Sequence, residues 1–209
     1  MTTTEPATGR IDFTMMYLTH DAFRRDLTKL RQAADADRTD SLGVRAGWAN
    51  FKRQLTVHHT VEDEALWPRV EAAAGGRADA AEILAAMAAE HGRLDGLLAA
   101  VDTAIAQRSA ALPEIAAGLE AGLDGHMRHE EEAALPLIQE VLEPKDWEQF
   151  GKAMARKQKL SGAAAYVPWI LDGASDAQRE AFWQVMPAPV KVLNGLFWER
   201  RHRARNPWA

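Results

Sequence analysis

Residues 58–68 read HHTVEDEALWP, so a glutamate follows a histidine by four positions, with two more acids close behind, inside a run of core-type residues. Residues 126–136 read HMRHEEEAALP, with the His, the Glu at plus four, the Glu at plus six, the Ala and the Pro in register. On a helix, His and Glu four apart lie on one face, about 6 Å apart along the axis. A buried carboxylate without a partner protonates rather than ionises. Two such carboxylates therefore need a counter-charge, and metal cations supply one. Imidazole and carboxylate without thiolate suit iron, manganese or zinc. The absence of cysteine removes thiolate metal sites, iron–sulfur clusters, disulfides and a cysteine nucleophile.

These residues must be positioned by helices. Apolar residues recur at three and four through the first 143 residues, and no strand-like alternation occurs. Phe13, Met16, His20, Phe23, Leu27 and Leu30 form one seam, and Trp48, Phe51, Leu55, His58, Glu62 and Leu66 a second, which runs from a Ser41 cap to Gly75 and Gly76. A third carries Leu84, Met87, His91, Leu94 and Leu98, and a fourth Leu119, Leu123, His126, Glu130 and Leu137. Short connections make an all-α, up-down-up-down four-helix bundle the economical arrangement. A lone histidine on such a face is usually an ordinary core residue. Four of them, mid-helix on four helices, can meet at one level, which favours a dimetal site. Pro68 and Pro136 are expected to kink or stop their helices.

The chain divides into a disordered lead (1–10), the bundle (11–143) and a Trp-rich, basic extension of short helices packed on it (144–209). Helices are expected near residues 146–159 and 163–171, from a Ser175 cap to Val185, and from Pro189 into FWERRHRARNPWA. Residues 1–143 hold 14 Lys and Arg against 24 Asp and Glu, a net −10; residues 144–209 hold 11 against 6, a net +5, giving −5 in all. Packing of the two parts on each other is the expected meaning of that split, and nucleic-acid binding is not expected.

The lone His20, HHTVE, EHGRL and HMRHEEE resemble the hemerythrin-like family of HHE cation-binding domains, specifically its bacterial members, over roughly residues 11–143. The resemblance implies His20, His58, Glu62, His91, His126 and Glu130 as metal ligands, with the two glutamates bridging. It also implies two Fe ions, with Mn or Zn as alternatives, and an oxo or hydroxo bridge. Oxygen-carrying members have two histidines spaced by four on the third helix, where this chain has only His91, with Met87 before it and Asp95 after. Related iron-sensing domains use the residue after the first helix-B histidine. His59 is therefore either the missing ligand or a residue beside the site. His129, one helical step off the seam, is read as a residue beside the site or on the surface, with ligation as the alternative. Tyr17, one turn before His20, either hydrogen-bonds a bound oxygen species or lines the bundle. Asp63, Glu64, Glu131 and Glu132 are expected to be solvated, to orient imidazoles, or to pair with Arg128 and the basic tail.

The function implied is binding of O2, peroxide or NO for sensing, carriage or detoxification. Any enzymatic activity would be peroxidase- or catalase-like, or an oxygenase acting on an organic substrate; an iron sensor or store is a further alternative. No Gly-rich phosphate loop and no G-x-S-x-G motif is present. MTTTEPATGR is not a signal-type run, and no stretch reaches the roughly 18 apolar residues of a membrane span. A cytoplasmic monomer or homodimer with no membrane partner is expected.

Overall fold

The computed structural model describes residues 10–209, so the expected disordered lead lies outside the described residues apart from Arg10, whose guanidinium pairs with Glu143 at 2.9 Å. Among the described residues every regular element is helical. The four bundle helices are α1 (Thr14–Asp35); α2 (Leu42–Val61) continued by α3 (Trp67–Ala74); α4 (Ala78–Ala106); and α5 (Leu112–His129) continued by α6 (Leu135–Val141). α1 packs on α5 and α2, and α4 on α5 and α3, which is the expected four-helix arrangement. Ser41 caps α2 by accepting from the Val44 N–H at 3.1 Å, and Gly75, at φ 61°, ends α3 in the left-handed conformation that glycine takes without strain.

The prolines neither stop nor break their helices. A π-helical turn, Glu62–Leu66, joins α2 to α3, and a second, Glu130–Ala134, joins α5 to α6. In a continuous α-helix the ring of Pro68 would strike the carbonyl four residues back and leave that carbonyl without its N–H partner. The wider turn instead lets the Trp67 N–H bond the Glu62 carbonyl, and Leu135 bonds Glu130 in the same way. Each proline then falls in the first turn of the next α segment, where no N–H is required. Both π-turns begin at the glutamate of the His-x-x-x-Glu pair.

The buried apolar residues form two clusters. One holds Phe23, Leu27, Phe51, Leu55, Leu119 and Leu123, and the other Met16, Leu66, Trp67, Met87, Leu135 and Ile138. Polar His20, His58, His59, Glu62, His91, His126 and Glu130, all buried, come from stretches of the helices that contribute to both clusters.

The rest of the chain forms α7 (Pro144–Ile170), α8 (Asp176–Val185), α9 (Ala188–Leu193) and α10 (Glu199–Arg205), with a third π-turn at Asn194–Trp198. Lys159, at φ 55° and ψ 176°, breaks α7 into two stretches, where the sequence placed a helix boundary. Ser175 and Gln178 form the capping box of α8. The extension is anchored on the bundle by polar contacts: Gln158 donates to the Gln54 side-chain oxygen (2.6 Å), Trp169 Nε1–H to Asp26 (2.8 Å), Lys29 pairs with Asp172 (2.9 Å) and Lys157 with Glu64 (3.0 Å). The Trp208 ring packs against Gly47, and the Trp208 backbone N–H donates to the Gly43 carbonyl at 2.7 Å. No helix among the described residues is long and apolar enough to cross a membrane.

A Cβ at position 47 would sit 2.5 Å from the Trp208 ring. Gly47→Ala is expected to displace residues 206–209 and to cost about 1–3 kcal/mol in urea unfolding, as overpacked sites do. Trp208 should then become accessible to acrylamide quenching.

Candidate metal centre

The seam histidines and glutamates meet in one layer of the bundle. From α1 comes His20, from α2 His58 and His59, from the turn after it Glu62, from α4 His91, from α5 His126 and from the turn after that Glu130. Their donor atoms form two groups. His20, His58 and Glu130 make one, and His59, His91 and His126 the other; within each group the ligand atoms lie within 4.8 Å of one another. Glu62 stands between them, with Oε1 3.0 Å from His58 Nε2 and Oε2 3.7 Å from His91 Nε2. Glu130 Oε2 is 3.2 Å from His20 Nε2.

Four of these imidazoles have a carboxylate or a neighbouring ring as their closest polar company, and the atoms facing inward are poorly satisfied. His20 and His58 face each other Nε2 to Nε2 at 3.4 Å. His91 Nε2, His126 Nε2 and both oxygens of Glu62 and of Glu130 are buried without a well-formed hydrogen bond. Buried polar atoms are normally bonded, so lone pairs aimed at common points need an explanation. A bound metal cation would provide it. The donor set, nitrogen and carboxylate oxygen with no sulfur, fits the metals expected from sequence.

The outward nitrogens are held by acids. His20 Nδ1 donates to Glu131 (2.7 Å), His91 Nδ1 to Asp63 (2.9 Å) and His126 Nδ1 to Glu90 (2.9 Å). Such bonds fix the tautomer that presents Nε2 inward and make that nitrogen a stronger donor to a metal. Arg24 grips both oxygens of Glu131 at 3.0 Å. Asp63 and Glu131 each follow a layer glutamate by one residue, so they occupy equivalent places in the two copies of the motif. Glu64 pairs instead with Lys157, and Arg128 with Asp124. Glu90 is a partner that sequence reading missed, although it precedes His91 directly; its contact crosses from α4 to α5 and depends on the register of those helices.

His59 stacks on His91 with ring centroids 4.0 Å apart and meets His126 edge-on at 5.1 Å, inside the three-histidine group. His129 is elsewhere: its Nδ1 bonds the other oxygen of Glu90 at 2.9 Å, and the ring is about a third exposed. Tyr17 is half-buried at the edge of the layer, and burial, then Glu131 and Glu130, raise its pKa and keep the phenol protonated.

Without a metal, protons must neutralise the layer. Burial works against a charged His20, but the close carboxylate of Glu130 and the hydrogen bond to Glu131 outweigh that and carry its pKa up to about 9. Burial would raise Glu130 too, yet the contact with His20 brings it down to about 2. Those two form an ion pair. Burial, with Glu130 beside it, pushes Glu62 well above the usual carboxylate range. Burial and charged His20 lower His58 to about 3, and burial lowers His59 and His126 as well.

The signs give a stability optimum. His58, His59 and His126, depressed in the fold, lose stability for it as pH falls below about 6.5. His20 and Glu62, raised in the fold, lose it as pH rises, and for His20 the loss runs from about 6.5 through about 9. The chelator-treated protein is therefore expected to melt highest near pH 6.5 and to lose on the order of 3 kcal/mol from His20 alone by about pH 9.5, measured by thermal unfolding across pH.

Compared with known proteins, residues 12–138 match the family model described as the hemerythrin HHE cation binding domain. No curated protein and no solved structure gave a match. With the model spanning all four bundle helices and every residue of the layer, the chain belongs to the hemerythrin HHE cation-binding family.

Proposed function

We propose that the chain holds two metal ions, iron foremost, and binds O2, peroxide or NO beside them in order to carry, sense or remove it. The observation that carries this reading is Glu62, a single fully buried carboxylate with one oxygen turned to the two-imidazole group and the other to the three-imidazole group. His20 and His58 with Glu130 would hold one ion, and His59, His91 and His126 the other, with Glu62 and Glu130 between them. Iron would supply electrons and a coordination position for a diatomic or peroxide ligand.

The chain's own residues set the conditions. The flanking apolar clusters keep water from the layer, and a low dielectric strengthens every interaction made there. Asp63, Glu90 and Glu131 hold three imidazoles in one tautomer. Tyr17, half-buried and close enough to Glu131 and Glu130 for burial and their charge to raise its pKa, keeps its phenol proton. His20 and His58 would give one ion two imidazoles where the other would have three, and the His20–His58 side would then be the place for an exogenous ligand.

An oxygenase acting on an organic substrate would need a pocket reaching this layer. The groove of about 500 Å³ between α7 and the turn after Val61 is lined by Val61, Glu64, Ala65, Ala153, Arg156, Lys157 and Lys159, none of them in the layer. That groove gives an organic substrate no access to the layer, whereas the small-ligand reading does not depend on one.

Protein purified from iron-replete culture is expected to carry close to two irons per chain by elemental analysis and to develop a charge-transfer band when its reduced form meets O2 or peroxide. His59→Ala and Glu62→Gln should each remove at least half of the iron, while His129→Ala should leave the content unchanged. Full iron content in both His59→Ala and Glu62→Gln would refute the site.

A further inference from the structure

Asp26 is an acid that the metal layer does not use. It sits on α1 between Phe23 and Leu27, is 1% exposed, and accepts from Trp169 Nε1–H at 2.8 Å through Oδ2 and from Arg25 through Oδ1. Burying an aspartate is costly, and a tryptophan N–H needs only a neutral acceptor. The indole it holds is placed unusually. The Trp169 ring lies 5.2 Å from Phe23, and Phe23 lies 5.6 Å from His58, centroid to centroid. A continuous aromatic path thus runs from a layer histidine, through one phenyl ring, to an oxidisable ring that has a carboxylate on its nitrogen. Tyr166, part-exposed on the same helix, is the next ring at 5.8 Å.

We propose that Trp169 is a redox relay, an indole that gives up an electron to the peroxide-treated metal centre through Phe23 and its Nε1 proton to Asp26. This rests on the dimetal reading above. Hydrogen peroxide takes two electrons and two solvent protons to become two water molecules; one electron would come from the iron that the layer would hold and the other from the indole. The indole N–H bond breaks and an O–H bond forms on Asp26, leaving a neutral indolyl radical beside a neutral carboxylic acid. Burial, the largest influence on Asp26, raises its pKa against the pull of Arg25 and so makes it the better base. The radical takes oxidising power away from the ligand histidines.

Other tryptophans lack one part of this arrangement. Trp67 is buried with no partner for its N–H, so oxidation there would strand a buried cation. Trp48 has Asp102 on its nitrogen at 2.7 Å but reaches Phe23 only through Phe51, one ring further away. Trp147, Trp183 and Trp198 are part-exposed and open to direct attack by peroxide.

The test is peptide mapping of the iron-loaded full chain after a few equivalents of hydrogen peroxide, with freeze-quenched electron paramagnetic resonance on the same samples. Buried Trp169 is expected to be oxidised several-fold more than Trp147, Trp183 or Trp198, and an indolyl radical should form. W169F should abolish that signal and raise oxidation of His20 and His58 several-fold. D26N, which keeps an acceptor oxygen but not a base, should lower the radical yield at least several-fold while retaining iron. The wild-type map stands even if W169F fails to fold. Iron binding and peroxide consumption with no radical, and with Trp169 oxidised no more than in metal-free protein, would overturn the relay alone; a chain that binds no iron overturns both readings.

Discussion

Two fully buried carboxylates at one level of a helical bundle are the constraint around which the molecule is arranged. Glu62 and Glu130 cannot both ionise in an apolar interior without positive charge between them. Metal-free, the chain answers with a proton on His20 and a second on Glu62; only Glu130 keeps its charge, against His20. Divalent cations would release both protons and satisfy the inward nitrogens that otherwise have no partner. The same layer is where the two apolar clusters fail to merge, so part of the hydrophobic stabilisation a continuous core would give is given up for the site.

The π-turns follow from the same layer. Each inserts one residue's worth of extra winding directly after a layer histidine's turn, and each begins at a layer glutamate. Single π-turns inside α-helices recur at functional sites, because the local widening re-aims side chains that a regular helix would place elsewhere. Here the widening also accommodates a proline. Pro68 and Pro136 therefore do not punctuate the bundle; they keep the wider turn from reverting to a regular α-helical one, since the α register would put each ring against a carbonyl.

The bundle and much of the layer were legible from sequence because they depend on local periodicity. His20, His58, His91 and His126 replace apolar residues on their seams, and Glu62 and Glu130 follow at one helical turn. Helix ends with local signals, such as Ser41, Gly75 and the Ser175 capping box, were equally readable. What depends on tertiary register was not. His59 stands 100° around the helix from His58 and was reached only through the family resemblance, because the rotation of α2 against α4 decides that it stacks on His91. The partnership of Glu90 with His126 needs α4 and α5 in register, and Asp26 is a buried aspartate beside Phe23, Leu27 and Leu30 whose partner lies 143 residues away. The π-turns left a trace in the paired prolines, but proline alone does not distinguish a widened turn from a kink.

The twofold repeat is most informative where it fails. It equates His58 with His126, Glu62 with Glu130, and Asp63 with Glu131; the first two pairs are all buried, and Asp63 and Glu131 each bond the Nδ1 of a layer histidine on another helix. By the same register His59 matches Met127, a fully buried core residue, and Glu90 on α4 matches Thr19 on α1, each directly before its layer histidine. Thr19 turns to the Met15 carbonyl and to Tyr166, leaving His58 Nδ1 without a partner. One half of the layer thus gains an imidazole and an anchoring carboxylate, while the other loses both and gains contact with Phe23 and, beyond it, Trp169. A symmetric bundle would give two equivalent positions. This chain gives two unequal halves, three imidazoles with Glu90 behind one of them on one side, and two imidazoles with Glu130 and an aromatic contact to Phe23 on the other, and under the proposed dimetal reading that inequality would let one ion hold its ligands while the other exchanges one.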